Sequence, residues 1–273
     1  MHPALFPSRV FSRSFRLGIA AGLVFSAAST RAGEADCRPE GAEPAEITAI
    51  TRQGGIRLRD GRELKLAHLL PADGSGHRDA EFGPGHLETW LSGQRVSWKP
   101  AGEPDRWGRI PANLFLREPE GHEPAFWLQA GLAQHGWAAL WPGRLASGCL
   151  ARLLAAERRA LVAGRGVWAP DAQDLAVAGL GRDPAGALGR RMAVILRVRS
   201  VRNGRSGSFV NFVPSLHGSP ALFLTTRQME ALRHAQRDPF SWQGKRVLLR
   251  FVVHEPGLDR MRIESIDQFF PID

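Results

Sequence analysis

Apolar and polar positions along this chain switch between two periods. Short runs with period two, or short solid apolar runs, predict strands over 47–50 and 56–59, and a return strand over 63–70. Asp60-Gly61 supplies the hairpin turn between the last two. A loop rich in Gly and Pro (71–85) leads to a short helix over 86–91, then strands over 94–99 and 110–116. Residues 126–134 predict a helix closed by Gly136. Leu150, Leu153, Leu154 and Leu161 form one stripe of a helix over 150–162, ended by Gly164, Gly166 and Pro170. Residues 170–188 are rich in Ala, Gly and Asp without a period, which places a junction there. Strand signals then return over 192–201, 209–213 and 221–225. A short helix follows over 226–235 with Thr226 as its cap, and a last hairpin joins 245–253 to 260–266. Three strands, a helix and two strands is the order of an OB-type barrel.

The first residues change the charge picture. Arg9, Arg13 and Arg16 precede an apolar stretch of about a dozen residues (17–28), the layout of a secretory leader rather than of a membrane span, which needs about 20. Thr30-Arg31-Ala32 offers a cleavage site. Export to the periplasm or beyond is therefore expected. Losing residues 1–32 removes four arginines and no acid, and the net charge falls from +9 to +5. Residues 33–182 carry 18 basic and 19 acidic side chains, whereas 183–273 carry 14 and 8, so the excess sits in the last third. Two cysteines exclude a four-cysteine zinc module and a disulfide-dense mini-domain. In an oxidising compartment Cys37 and Cys149 are either a disulfide, which is the favoured pairing, or two buried thiols.

Three stretches of residues 46–168 resemble the thermonuclease family, the staphylococcal-nuclease-like branch of the OB fold. One is the strand, Asp60-Gly61 turn and strand running into Leu69-Leu-Pro-Ala-Asp73. Another is Asp105-Arg-Trp-Gly-Arg109. The third is Trp127-Leu-Gln, then Gly136-Trp-Ala and Trp141-Pro142, the helix after them, and Gly164-Arg-Gly-Val-Trp168. The last third resembles the small OB-like extension of some exported relatives. The resemblance implies a chain that is mainly β with packed helices (α+β): a thermonuclease-type OB barrel followed by a second small OB-like barrel. The expected divisions are a leader (1–32), an arm (33–45), the first barrel (46–168), a linker (169–188) and a basic barrel (189–273).

The family's chemistry is hydrolysis of phosphodiesters with a calcium ion held by carboxylates, guanidinium groups on the phosphate and a carboxylate acting on water. Carried over position by position, the two metal-binding aspartates become Gly54 and Leu70, the base becomes Asp73, the first arginine becomes Lys65, and Arg109 alone is retained. Lys65 keeps a charge but loses the two-pronged fork of Arg. Lys65, Asp73 and Arg109 are thus remnants of a catalytic set, and a metal-dependent nuclease becomes the alternative rather than the leading expectation. Asp79 and Glu81, in the loop after Asp73, are the acids that could substitute as ligands, and His77 and His86 flank the same loop. No His pair has metal-ligand spacing on a helix.

Arg190, Arg191, Arg197, Arg199, Arg202 and Arg205 follow one another with no acid between, and Phe209 and Phe212 come next. OB barrels bind single-stranded nucleic acid with such basic strands and aromatic platforms. Phe209 and Phe212 have opposite strand parity, so at least one belongs to the core. The alternatives are a solvated basic face or contact with anionic lipid headgroups. Most of the eight tryptophans fall at core positions of the family that the chain resembles, so core packing rather than base stacking is expected of them. Together these readings predict an exported, catalytically degenerate protein that binds nucleic acid or another polyanion and needs no cofactor. The alternatives are a calcium-dependent nuclease and an envelope protein with a structural or partner-binding role.

Overall fold

A computed structural model of the chain describes residues 37–51, 54–70, 84–116, 126–143, 145, 147–182, 188–213, 221–254 and 261–272. The first half runs β1 (Glu43–Ile50), β2 (Gly55–Leu58), β3 (Glu63–Leu66), β4 (Leu69–Leu70), α1 (Pro84–Leu91), β5 (Arg95–Pro100), β6 (Ile110–Leu116) and β7 (Phe126–Trp127). It continues with α2 (Leu128–His135), β8 (Ala139–Leu140), α3 (Ser147–Ala163) and a 3-10 turn at Gly166–Trp168. After α4 (Pro170–Arg182) come β9 (Arg191–Asn203), β10 (Gly207–Val213), β11 (Ala221–Thr225), α5 (Thr226–His234), β12 (Arg246–Val252) and β13 (Phe269–Pro271). The chain is α+β and mostly sheet.

The first sheet has the order β3-β2-β1-β5-β6-β7, and β3 pairs with β6 as well, in parallel. Its inner residues include Ile47, Ile56, Leu64, Trp98, Leu114 and Phe115, all buried, with α2 and α3 packed alongside. Cys37 and Cys149 are joined, with Cα atoms 5.6 Å apart, which ties the start of the described chain to α3. In the chain-entropy picture a loop of 112 residues closed this way stabilises the fold by about 4–5 kcal/mol. The second sheet is antiparallel with the order β11-β10-β9-β12-β13. Leu196, Val198, Val210, Phe212, Leu249 and Phe251 face its core, where Trp242 meets Phe269 edge to face.

The two halves pack on each other. Leu70, Ala139, Trp141, Ala160 and Trp168 from the first share an apolar layer with Ala193 and Leu248 from the second. Within that contact lies a buried ion pair between Glu157 of α3 and Arg250 of β12, both almost fully removed from solvent. The backbone N–H of Leu140 donates to Glu157 (2.8 Å), and Arg250 Nε donates to the carbonyl of the same residue (2.8 Å). One backbone unit of β8 is therefore held from both sides.

Several elements differ from the pattern reading. Residues 170–182, expected within a linker, form α4, because Pro170 suits a first helical turn and the alanines favour the helix interior. The arm expected to end at residue 45 already enters β1 at Glu43, drawn in by pairing with β5. Phe126 and Trp127 are strand rather than helix, since both pair with β6. The cap of α5 is Thr225, not Thr226: its hydroxyl accepts from the N–H of Gln228 (3.2 Å), and Gln228 answers on the N–H of Thr225 (2.9 Å). The final hairpin is replaced. Met261 makes a lone bridge to Leu222, and the strand beside β12 is Phe269–Pro271.

Candidate functional site

The Asp105–Arg109 turn organises itself. Asp105 Oδ1 accepts from the N–H groups of Trp107 (3.0 Å) and Arg109 (3.1 Å), and Oδ2 takes both Nε (2.9 Å) and Nη2 (2.8 Å) of Arg109. Gly108 sits at φ 77°, a conformation that glycine adopts without strain, and its N–H closes the turn on the Asp105 carbonyl (2.8 Å). The two-pronged pairing fixes the guanidinium of Arg109. Burial pushes the Asp105 carboxyl up, but the bonds from Arg109 and Trp107 outweigh it and hold the group below its ordinary 3.8. Trp107, expected in a core, projects into solvent with 63% of its surface exposed. Arg106 and Arg109 lie over its ring at 3.8 and 4.8 Å.

Lys65 stands on β3 opposite Pro111 of β6, two residues past Arg109. It is partly buried, and no carboxylate pairs with it among the described residues. Burial lowers its pKa from the ordinary 10.5, and the charges of Arg109 and Arg191 lower it further, against a weaker pull from Asp105. Arg191 comes from the other half of the molecule. Its guanidinium covers the ring of Trp141 at 4.9 Å, and the backbone N–H of Trp141 donates to the carbonyl of His68 (2.9 Å), three residues after Lys65. The charges of Arg109 and Arg191 thus both bear on Lys65, and Arg106 joins Arg109 over the ring of Trp107.

The positions that a thermonuclease-like metal site would require are filled otherwise. Gly54 lies in a left-handed turn (φ 73°), closed by the N–H of Thr51 on the carbonyl of Gly55 (2.7 Å). Leu70 is buried in the layer between the halves, beside Ala139 and Trp141. Neither offers a side-chain oxygen to a hard cation. These residues do not fit the calcium ion that the resemblance implies. Asp73, His77, Asp79 and Glu81 lie outside the described residues; His86 falls on α1.

The arginine run is not brought together as one patch. Arg190 precedes β9 and Arg191 opens it, and Arg199 lies eight residues beyond Arg191, about 26 Å along a strand. Arg197 donates to the carbonyl of Gly244 (2.7 Å) and stands opposite Arg246. Arg202 pairs in register with Phe209, and Arg205 sits in the turn that follows. Phe212 is the core residue of the two phenylalanines, and Phe209 is half-buried against Phe223, ring centres 5.1 Å apart. Sequence reasoning missed the kinship of Arg191 with Lys65 and Arg109, since no local spacing connects them. The exposure of Trp107 had one signal, its place between Asp105 and Gly108 in a turn. No protein-family model matches the chain, and no match was found among the curated proteins. No helix among the described residues is long and apolar enough to cross a membrane.

Proposed function

We propose that this is an exported, catalytically degenerate protein that binds polyanions, foremost single-stranded nucleic acid, at the Lys65–Arg109–Arg191 group. The observation that carries the reading is a partly buried lysine that feels the charges of two arginines and only a weaker pull from one acid. Like charges held together in reduced dielectric repel one another, and a bound anion relieves that repulsion. A phosphodiester backbone is the anion that also gives Trp107 a role: an exposed ring beside a phosphate site is a stacking platform for a base. The arginines farther along β9 extend the favourable field for a long strand. The pairing of β3 with both β2 and β6 supports an OB-type barrel in the first half, and the disulfide supports an oxidising compartment.

The test is binding of a labelled single-stranded oligonucleotide by the full chain over a salt series, with chelator and with calcium. Affinity is expected to fall steeply with salt, to ignore chelator, and to drop about tenfold or more in Arg109→Ala and in Lys65→Ala. Chelator-sensitive cleavage that disappears in Arg109→Ala overturns the reading in favour of a nuclease. Absence of binding at low salt leaves the partner-binding role instead.

A further inference from the structure

A cavity of about 530 Å³ opens where the end of α3 and the turn at Gly166–Trp168 meet β9, β12 and β13. We infer that it binds a small amphipathic oxyanion, an apolar body with a carboxylate-like head. None of Lys65, Arg109 and Arg191 lines this cavity, so the site stands or falls independently of the polyanion reading.

The lining accounts for the apolar body. Leu161 and Trp168 come from the first half, and Ile195, Phe270 and Ile272 from the second. Four of these, all but Trp168, are the partly buried members of the apolar layer that joins the halves. The layer therefore does not close here, and its border faces a space of ligand size. Ligand clefts span about 300–1,000 Å³ and lie preferentially where domains meet. Val162 lines the same cavity and is 78% exposed, the most exposed of the large apolar side chains among the described residues. An apolar body seated there removes that surface from water, which is the main driving term for binding.

The charged lining accounts for the head. Arg158 of α3 and Arg246 of β12 both line the cavity, and no acidic side chain among the described residues does. Arg158 is exposed and makes no hydrogen bond, ion pair or ring contact among the described residues, so its donors are open to a ligand. A planar guanidinium matches the two oxygens of a carboxylate with parallel N–H bonds. A cationic head meets like charge there instead. One arginine belongs to each half, so a bound anion touches both and stabilises their docked arrangement. Trp168 lines the cavity as well, and its buried Nε1 has no hydrogen-bond partner among the described residues, which makes its indole N–H a reporter of the site.

The experiment titrates the full chain with decanoate, decanol and decyltrimethylammonium, each kept below self-association, and follows the indole N–H resonances by NMR, with that of Trp168 assigned through Trp168→Phe. Decanoate is expected to shift the Trp168 resonance saturably and to raise the Tm. Decanol is expected to bind about fivefold more weakly, and decyltrimethylammonium to leave the resonance in place. Arg158→Ala is expected to weaken decanoate about threefold and Arg158→Glu further, with decanol unaffected, since an exposed side chain is changed and the apolar lining is kept. Decanol binding as tightly as decanoate, or Arg158→Glu binding decanoate as wild type does, overturns the inference. So does a Trp168 resonance that none of the three moves. Retention of the protein on phosphatidylglycerol vesicles without a shift by decanoate assigns this surface to a membrane and likewise overturns the small-ligand site.

Discussion

An ammonium group that gives up part of its hydration is destabilised unless an opposite charge compensates, and Lys65 has two like charges for neighbours instead. Its lowered pKa is therefore a statement about stability. At neutral pH lysine is protonated in both folded and unfolded chains, and the whole penalty is present. As pH rises through the lowered folded value toward 10.5, the folded chain sheds its proton first and the penalty disappears. Lys65→Met is expected to raise stability at pH 7 in urea unfolding, with the gap to wild type closing as pH approaches 10. Inorganic phosphate is expected to raise the Tm of wild type and to raise that of the variant less. A variant less stable than wild type at pH 7 contradicts this picture of the site. Asp105 works in the opposite sense. Its depressed pKa means that its contribution is present above about 3.8 and is lost as pH falls through the folded value.

At the scale of elements, the pattern of apolar positions located most strands and helices because those elements bury one face. The hairpin at Asp60-Gly61 and the strand over 221–225 are where the pattern put them. Its failures have specific causes. Helix α4 buries Gln173, whose side chain accepts from the N–H of Ile195 (2.8 Å) and donates to the carbonyl of Val167 (2.6 Å), so no apolar stripe announced it. Phe126 and Trp127 are strand only because β6 lies beside them. Gly136 closes α2 as the sequence reading has it, in the left-handed conformation (φ 71°), and together with Gly166 it also makes a tertiary contact. A Cβ on Gly166 would lie 2.2 Å from the carbonyl oxygen of Gly136, and one on Gly136 would lie 2.2 Å from that of Arg165. This close approach seats α2 against the turn that follows α3. Gly164 shares the left-handed backbone (φ 58°) but meets only the ring of Pro170 at 3.9 Å. Gly164→Ala is expected to cost about 1 kcal/mol, the strain of the backbone alone. Gly166→Ala should cost clearly more, since a backbone carbonyl must move. Equal losses in chemical denaturation would remove the argument for the contact.

Across the whole molecule, the two halves are joined by an apolar layer with one buried ion pair inside it. Arg250 lies in the apolar run of β12, and nothing in the sequence relates it to Glu157, 93 positions earlier. The pair holds both backbone groups of Leu140, so it does more than cancel charge. Arg250→Met alone is expected to cost about 3–5 kcal/mol, because Glu157 would remain buried without its partner. In other proteins a double apolar replacement of such a pair often restores stability. Here Arg250→Met with Glu157→Leu should recover only in part, since the N–H and carbonyl of Leu140 would both lose their partners. Full recovery would show that the bonds to Leu140 contribute little. The site depends on the same packing: Lys65 and Arg109 were singled out in the sequence through a resemblance, whereas the charge of Arg191 reaches Lys65 only when the halves are docked. The six-arginine run that dominated the sequence contributes one residue to the group, because an extended strand spreads its charges over tens of ångströms.

The chain has only three lysines, at 65, 99 and 245, which allows a direct measurement of where a polyanion sits. Amine modification read by mass spectrometry, on free protein and on protein saturated with single-stranded oligonucleotide, reports each one separately. Lys65 is expected to be protected by the oligonucleotide while Lys99 and Lys245 react as before. An oligonucleotide that binds while Lys65 reacts at an unchanged rate would contradict the account.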